Sequence, residues 1–336
     1  MRTLHLHVGV HRTATSSIQQ YLGLNHRRLV PRGFLHPYGV NRHHRLMNRI
    51  FSGDLNAAEV ARDLTDRADA KRDPVRDVIL SDEDILMRRD LSPLAGLAEG
   101  FEVRPVLFLR RQDSWLESWY LQNIKWQWNP GLSHVTFEEF MARRREFHWI
   151  DYRRTVEQLE RLFGRDSLRL AVFERPQMPA GPVRAFLDVI GLEPGADFED
   201  PGERNASLSF EVSELLRCLP LDKAPGRVRS RFERAAVALD DRLKAEGAAR
   251  RGSGLLMDPA TRAEVLDRYA ESNAWVAERH FGRSELFLDP VPAGESERDR
   301  LALPENSYEF ARRLLDPYFE ELIRLEREQQ EQARGG

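Results

Sequence analysis

The chain has 336 residues, of which 41% are hydrophobic and 31% charged, so it can bury a large core. Its 51 lysines and arginines and 54 acidic residues give a formal net charge of -3, which excludes a protein that wraps duplex nucleic acid through a strongly cationic surface. The single cysteine, Cys218, excludes an intramolecular disulfide framework and a multi-cysteine metal site. We therefore expect a globular protein with no nucleic-acid partner and no metal.

The start of the chain runs directly into a strand-like pattern at Leu4, without the apolar segment and small-residue cleavage site of a signal peptide. No apolar run is long enough to cross a bilayer. From these two features we expect a cytoplasmic protein without a membrane span.

Buried parallel strands are predicted by short runs rich in β-branched or large aliphatic residues. These runs are residues 4–8, 75–80, 103–109 and 168–173. Helical periodicity lies between them, over residues 16–24, 57–70, 114–125, 137–145 and 152–163. Strands that alternate with helices predict an α/β fold with three α/β/α layers and a short parallel sheet. Ligands of such sheets bind beyond the carboxyl ends of the strands.

The pattern becomes almost wholly helical beyond residue 182. Further helices are predicted over residues 182–190, 210–216, 228–246, 259–281 and 307–328. We assign residues 1–283 to one main domain and residues 284–336 to a C-terminal loop and helix that pack on the same domain. The amphipathic last helix offers a contact surface for a homodimer.

A hydroxyl-rich loop, residues 9–17, joins the first predicted strand to a helix start. Unsatisfied N–H groups and the helix dipole favour phosphate or sulfate at such a position, and Arg12 adds a positive charge. The alternative is an ordinary helix capped by Thr15 or Ser16, which accounts for only one of the hydroxyls. A nucleoside triphosphatase loop needs a second glycine and a lysine that this loop lacks.

The loop resembles the 5′-phosphosulfate loop of the PAPS-dependent sulfotransferases, in particular the bacterial and polysaccharide-type branch, which reads roughly H-K-T-G-T-[TS]-S-[IL]-Q. The matching residues are His11, Arg12, Thr13, Ala14, Thr15, Ser16, Ser17, Ile18 and Gln19. The resemblance implies that residues 12–17 hold the 5′-phosphosulfate of 3′-phosphoadenosine 5′-phosphosulfate, the co-substrate. Arg12 stands where the family has its lysine, and Ala14 replaces a glycine.

A second motif follows the third predicted strand, where Arg110 precedes a helix that carries Ser118. In the same family an arginine at this strand end and a serine eight positions later bind the 3′-phosphate of the donor, so the resemblance implies this role for Arg110 and Ser118. The alternative is a surface ion pair of Arg110 or Arg111 with Asp113 or Glu117, a common contact of little energetic value.

The second predicted strand ends in Ser81-Asp82-Glu83, which resembles the S-[SD]-E segment of the family. We expect Glu83 to be the general base that takes the proton of the acceptor. The alternative is that Ser81 caps a helix and the acidic residues complement its dipole. Neutral imidazole also suits proton abstraction near pH 7, so His11, His43 and His44 compete for this role.

Acceptor contacts are predicted for His44 and for Trp126 and Trp128, which follow the periodic part of their helix. Trp115 and Trp119, one turn apart, are expected to face inward. The later segment 204–209 resembles R-x-N-x-S-[LY]-S of the family, which implies that Arg204 closes over the donor. The alternative is a helix entry capped by Ser207 or Ser209.

Together these features predict a sulfotransferase that moves a sulfuryl group to a hydroxyl or amine of a glycan, glycolipid or small molecule. A kinase-like phosphotransferase is the first alternative, but it needs a Walker lysine and an acid that anchors Mg²⁺. A non-catalytic nucleotide- or glycan-binding relative is the second, because Arg12 replaces the lysine of the family. Tight donor binding without transfer would distinguish that relative from the enzyme.

Overall fold

The structure is a computed structural model, which describes residues 1–202, 208–247, 256–294, 296, 313, 317–320 and 323–324. The chain divides into two compact units. The first consists of Met1–Gln112, Phe147–Asn205 and Leu266–Val291, and the second of Asp113–Glu146, Ala206–Val265 and Pro292–Gly336. The domain boundary after residue 283 stays a prediction.

The first unit contains a five-stranded sheet. Its strands are β1 (Arg2–Gly9), β2 (Phe34–Leu35), β3 (Asp77–Ser81), β4 (Phe101–Leu109) and β5 (Arg169–Val172). They lie in the order β2-β3-β1-β4-β5, and all four pairings are parallel. The four predicted strands and their parallel arrangement are confirmed, whereas the two-residue strand β2 is too short to form an apolar run of its own.

Twelve α-helices lie within the described residues up to Val276. In chain order they are α1 (Thr15–Leu24), α2 (His26–Leu29), α3 (His44–Phe51), α4 (Ala57–Asp69), α5 (Gln112–Trp126), α6 (Pro130–Ser133), α7 (Phe137–Ala142), α8 (Tyr152–Phe163), α9 (Gly181–Ile190), α10 (Phe210–Arg217), α11 (Gly226–Ala245) and α12 (Pro259–Val276). The bounds of α8 are those predicted. Helices α2, α3 and α6 were not predicted, and most of the predicted helix 307–328 lies outside the described residues.

Both faces of the sheet are covered. Leu4, His5, Leu6 and His7 of β1 are at most 1% exposed, although successive side chains of a strand point to opposite faces. On one face, residues of α1 and α9 share a hydrophobic cluster with residues of β3 and β4. Helix α8 contacts β4 as well. The predicted α/β architecture with helices around a short parallel sheet is therefore confirmed.

The second unit contains a buried ionic cluster. Arg262 donates hydrogen bonds to Asp113 (2.6 Å) and Glu117 (2.8 Å), and all three side chains are almost inaccessible to solvent. Loss of one partner from such a cluster leaves an uncompensated buried charge and is strongly destabilising. Trp115 and Trp119 on the same helix, α5, are buried and stacked at 5.5 Å, as their spacing predicts.

No helix within the described ranges combines the length and apolar composition that a membrane crossing requires. Cys218, the single cysteine of the sequence, is buried.

Candidate anion-binding and catalytic site

The loop between β1 and α1 has an unusual backbone. Arg12 (φ 67°) and Ala14 (φ 61°), on either side of Thr13, are both left-handed, a conformation that costs an L-residue about 1–2 kcal/mol. Left-handed residues are a component of the concave backbone arrangements whose N–H groups bind anions. The conformation of Ala14 also explains why the motif that this loop resembles has a glycine there.

The start of α1 is not an ordinary capped helix. Its N-cap is Ala14, and among the described residues no side chain accepts a hydrogen bond from the N–H groups of the first turn as a cap. The alternative of a cap by Thr15 or Ser16 is therefore wrong. Ser16 is exposed and Ser17 half-buried at this helix start, where an anion would complete the N–H groups.

The hydroxyl of Thr13 forms a hydrogen bond within the loop. Its Oγ1 donates to the carbonyl oxygen of Val10 at 2.6 Å, and the side chain is fully buried. Thr13 therefore holds the curvature of the loop, while Thr15, Ser16 and Ser17 supply hydroxyls at the helix start.

We expect Ala14→Gly to stabilise the protein by about 1 kcal/mol, because glycine adopts the left-handed conformation without a Cβ penalty. Urea unfolding of both chains measures this difference. Ala185→Gly in the interior of α9 is the matched control, and it should destabilise the same unit by about 1 kcal/mol. Equal destabilisation by the two substitutions would contradict strain at Ala14.

Arg110 lies at the end of β4, next to this loop. Its Nη1 donates to the carbonyl oxygen of Arg12 at 2.7 Å, and its guanidinium lies over the ring of Phe173. The hydroxyl of the buried Tyr152 donates to the carbonyl oxygen of Arg110 (2.5 Å) and accepts from its N–H (3.0 Å). Burial, and next the positive charge of Arg110, lower the pKa of Arg12 to about 10. Two cations crowded at adjacent strand ends create a local positive field that suits a multiply charged anion.

Glu83 lies against the first residue of the same loop. It follows β3 in a 3₁₀ turn, Glu83–Met87, and is buried. A Cβ atom on Gly9 would come within 2.7 Å of the Cβ of Glu83, so only glycine permits this approach. The turn is capped by Asp82, whose side chain accepts from the N–H of Asp84; the alternative that Ser81 is the cap is therefore wrong.

Two side chains hold the carboxylate of Glu83. Gln19 Nε2 donates to Oε2 at 2.5 Å and to the hydroxyl of Ser81 at 3.2 Å, and Arg42 Nη1 lies 3.2 Å from Oε1. Behind them, His7 Nδ1 lies 2.8 Å from the same hydroxyl of Ser81. Burial lowers the pKa of His7 to about 3, so this histidine is neutral. The network fixes the rotamer of Glu83 at the edge of the sheet.

Arg42 is shared among three acids. Beside Glu83 it contacts Asp82 (Nε to Oδ1, 2.7 Å) and Asp84 (Nη2 to Oδ2, 2.5 Å). Asp84 also lies 2.9 Å from His11 Nε2. Burial raises the pKa of Asp84, but the hydrogen bond from His11 and the charge of Arg42 outweigh it and lower this pKa to about 2. With Asp84 ionised, Nε2 of His11 carries the proton of this hydrogen bond and donates it to Asp84. The role of His11 as a base stays a prediction.

His43 is engaged at both ring nitrogens. Its Nδ1 accepts from the N–H of Ser81 at 3.1 Å, and its Nε2 lies 3.2 Å from the carbonyl oxygen of Pro37. Burial, and next the neighbouring His36, lower its pKa to about 3. His43 is therefore a structural residue that joins the segment before α3 to β3, and its candidacy as a base is wrong. His44, the first residue of α3, is exposed and lines a cavity of about 660 Å³.

The remaining predicted residues belong to the second unit or lie outside the described residues. Ser118 is buried on α5, and Trp126 and Trp128 stack at 5.3 Å with Trp128 67% exposed. Their roles in donor and acceptor binding stay predictions. Arg204 lies outside the described residues. The described residues bring no three metal-binding side chains together.

Sequence reasoning named Gln19 only as part of a motif and missed Arg42 altogether. No local pattern marks Arg42, because the acids it contacts are about forty positions away in the chain. The adjacency of β1 and β3 could have suggested a contact between Gln19, at the helix after β1, and the residues after β3.

Comparisons with known proteins give a limited set of likenesses. No protein-family model matches the chain. An uncharacterized protein of Archaeoglobus fulgidus is 27% identical over 191 residues, which are 54% of this chain and 47% of that protein, so the chain spans about half the length of the curated relative it matches. The crystal structure of a sulfotransferase from Alicyclobacillus acidocaldarius is similar with a TM-score of 0.45 and 16% identity, over 82% of this chain and 95% of that chain.

Proposed function

We propose that the chain is a sulfotransferase that moves a sulfuryl group from 3′-phosphoadenosine 5′-phosphosulfate to a hydroxyl or amine of a small-molecule, carbohydrate or lipid acceptor. The observation that carries the proposal is the meeting of three strand ends in the first unit. The ends of β1, β3 and β4 bring together Arg12 in a left-handed loop, Glu83 and Arg110. The carboxyl edge of a parallel sheet is where such folds bind their ligands.

The loop and the start of α1 fit the phosphosulfate end of the donor. The concave backbone and the helix N–H groups suit a tetrahedral oxyanion, and the crowding of Arg12 and Arg110 would be relieved by a ligand with several negative charges. By the resemblance, Arg110 takes the 3′-phosphate with Ser118, and Arg204 closes over the nucleotide. An arginine can give the phosphate two parallel hydrogen bonds.

In the proposed reaction Glu83 accepts the proton of the acceptor while the acceptor oxygen or nitrogen attacks sulfur. The new bond to sulfur forms as the bond between sulfur and the bridging oxygen of the 5′-phosphate breaks. The electron pair of that bond leaves on 3′-phosphoadenosine 5′-phosphate. Arg12 stabilises the charge that develops on the leaving phosphate, an electrostatic contribution that is large in a site shielded from water.

The contacts of Glu83 are compatible with a base. Gln19 occupies one acceptor position of Oε2 and Arg42 one position of Oε1. A carboxylate oxygen has about two acceptor positions, so each oxygen retains one for an acceptor hydroxyl. Gln19 and Arg42 are then positioning residues, which hold the carboxylate of Glu83 in a fixed orientation.

The proposal is tested by calorimetric titration with 3′-phosphoadenosine 5′-phosphate and, separately, with ATP and magnesium. We expect tight binding of the bisphosphate, weak binding of ATP, and a loss of about tenfold or more in bisphosphate affinity for Arg110→Ala, because a charged hydrogen-bond pair is removed. Arg62→Ala, at an exposed arginine of α4, should bind like the natural chain.

The alternatives predict other outcomes of this titration. A preference for ATP would favour the kinase-like phosphotransferase, and the absence of bisphosphate binding would exclude the sulfotransferase. Tight bisphosphate binding by a chain that does not consume the sulfated donor would favour the non-catalytic relative. The cytoplasmic location and a homodimer remain part of the proposal.

A further inference from the structure

The first unit has a second concave feature, a cavity of about 660 Å³ lined by residues between Tyr38 and Leu55. This volume is typical of sites for small organic ligands. Val40, Leu46 and Leu55 give the cavity an apolar part. The cavity can therefore bury the hydrocarbon part of a ligand.

The other part of the lining is cationic. His44, Arg45 and Arg49 line the cavity from α3, and α3 has no acidic residue in its first turn. Arg45 and Arg49 are one helical turn apart, a like-charge spacing that destabilises a helix, and Arg45, in the first turn of α3, opposes the helix dipole. In the described part of the chain neither guanidinium has a carboxylate partner. A bound anion would offset all of these costs.

The cavity is connected to the proposed base through a single side chain. Arg42 lines the cavity, and its guanidinium lies 3.2 Å from the carboxylate of Glu83. Arg42 is therefore a residue of both places: it lines the cavity and contacts the carboxylate of the proposed base.

We propose that this cavity is the acceptor site and that the acceptor is a small amphipathic anion, with an apolar body, a hydroxyl and a carboxylate or phosphate. Val40, Leu46 and Leu55 bind the apolar body, and Arg45 and Arg49 bind the anionic group. The inference rests on the proposed function, because it assigns the substrate class of the same reaction.

The test is a calorimetric titration of the full chain with 3-hydroxyoctanoate, octyl phosphate and the neutral 1,3-octanediol. We expect at least one anion to bind about tenfold or more tightly than the diol, since charged hydrogen bonds carry this difference. The double variant Arg45→Ala/Arg49→Ala should lose that preference. Its unfolding midpoint in urea should not fall, because the like-charge pair is removed. Its affinity for 3′-phosphoadenosine 5′-phosphate should be unchanged, and Arg62→Ala should behave as the natural chain.

The outcomes separate the two proposals. Equal binding of diol and anions, no binding of any probe, or an unchanged preference in the double variant would overturn the acceptor class, even where the bisphosphate binds. Anion binding by a chain that does not bind the bisphosphate would overturn the acceptor role together with the proposed function. The comparison of the carboxylate with the phosphate probe identifies the anionic group.

Discussion

Glu83→Gln should lower the rate of sulfuryl transfer about a thousandfold, because a positioned general base contributes roughly this factor and an amide cannot take the proton. The substitution keeps the shape of the side chain, so its contacts with Gln19 and Arg42 limit the structural change. The release of 3′-phosphoadenosine 5′-phosphate from the sulfated donor, in the presence of a panel of small alcohols and phenols, measures the rate for any acceptor including water.

The control for this experiment is Glu99→Gln, at an exposed carboxylate of the same unit, which should leave the rate unchanged. The affinity of Glu83→Gln for the bisphosphate should also stay as it is in the natural chain, which separates a chemical role from a loss of the donor site. If Glu83→Gln stays fully active and His11→Gln instead loses the transfer, the base is His11 and the assignment of Glu83 is wrong.

Arg12→Ala should lower the transfer rate at saturating donor about a hundredfold, because removal of one preorganised group from a developing oxyanion costs this order of magnitude. Arg12 is the cation inside the left-handed loop, and burial together with Arg110 already lowers its pKa to about 10. Because a pKa of about 10 is still well above neutral pH, Arg12 stays charged throughout the neutral range. The same assay of bisphosphate release measures the effect.

Arg12→Lys and Arg62→Ala complete this comparison. The lysine variant carries the residue that the resembled family has at this position, so we expect it to keep most of the transfer rate. The remaining loss reflects the different placement of charge in arginine and lysine. The exposed Arg62 is the matched arginine outside the site. An Arg12→Ala variant as active as Arg62→Ala would exclude Arg12 from the chemistry.

The architecture could be predicted because its strands are buried on both faces. Strands β3 and β4 contain short continuous apolar runs, and in β1 both the leucines and the histidines that alternate with them are covered. Helix α8 was predicted with its true bounds because its apolar residues recur at helical spacing. Helix α3 was missed because it has only eight residues and, among the described residues, no side-chain cap that would mark its start.

The residues at the centre of the site could be predicted from their motifs, but the contacts that hold those residues in place could not. Arg12 and Arg110 follow strands, so the order of the elements directs both to one edge of the sheet. The contacts of Arg42 with Glu83 and of His11 with Asp84 join residues far apart in sequence. They depend on the placement of β3 beside β1, which no local pattern encodes. The buried role of His43 depends in the same way on tertiary contacts.

The most direct test of the central claim is a crystal structure of the chain with 3′-phosphoadenosine 5′-phosphate. We predict that the 5′-phosphate accepts hydrogen bonds of about 3 Å from backbone N–H groups of residues 12–16, and that the guanidinium of Arg110 contacts the 3′-phosphate. A bisphosphate bound away from the loop between β1 and α1, or a loop that stays empty at saturating ligand, would contradict the account.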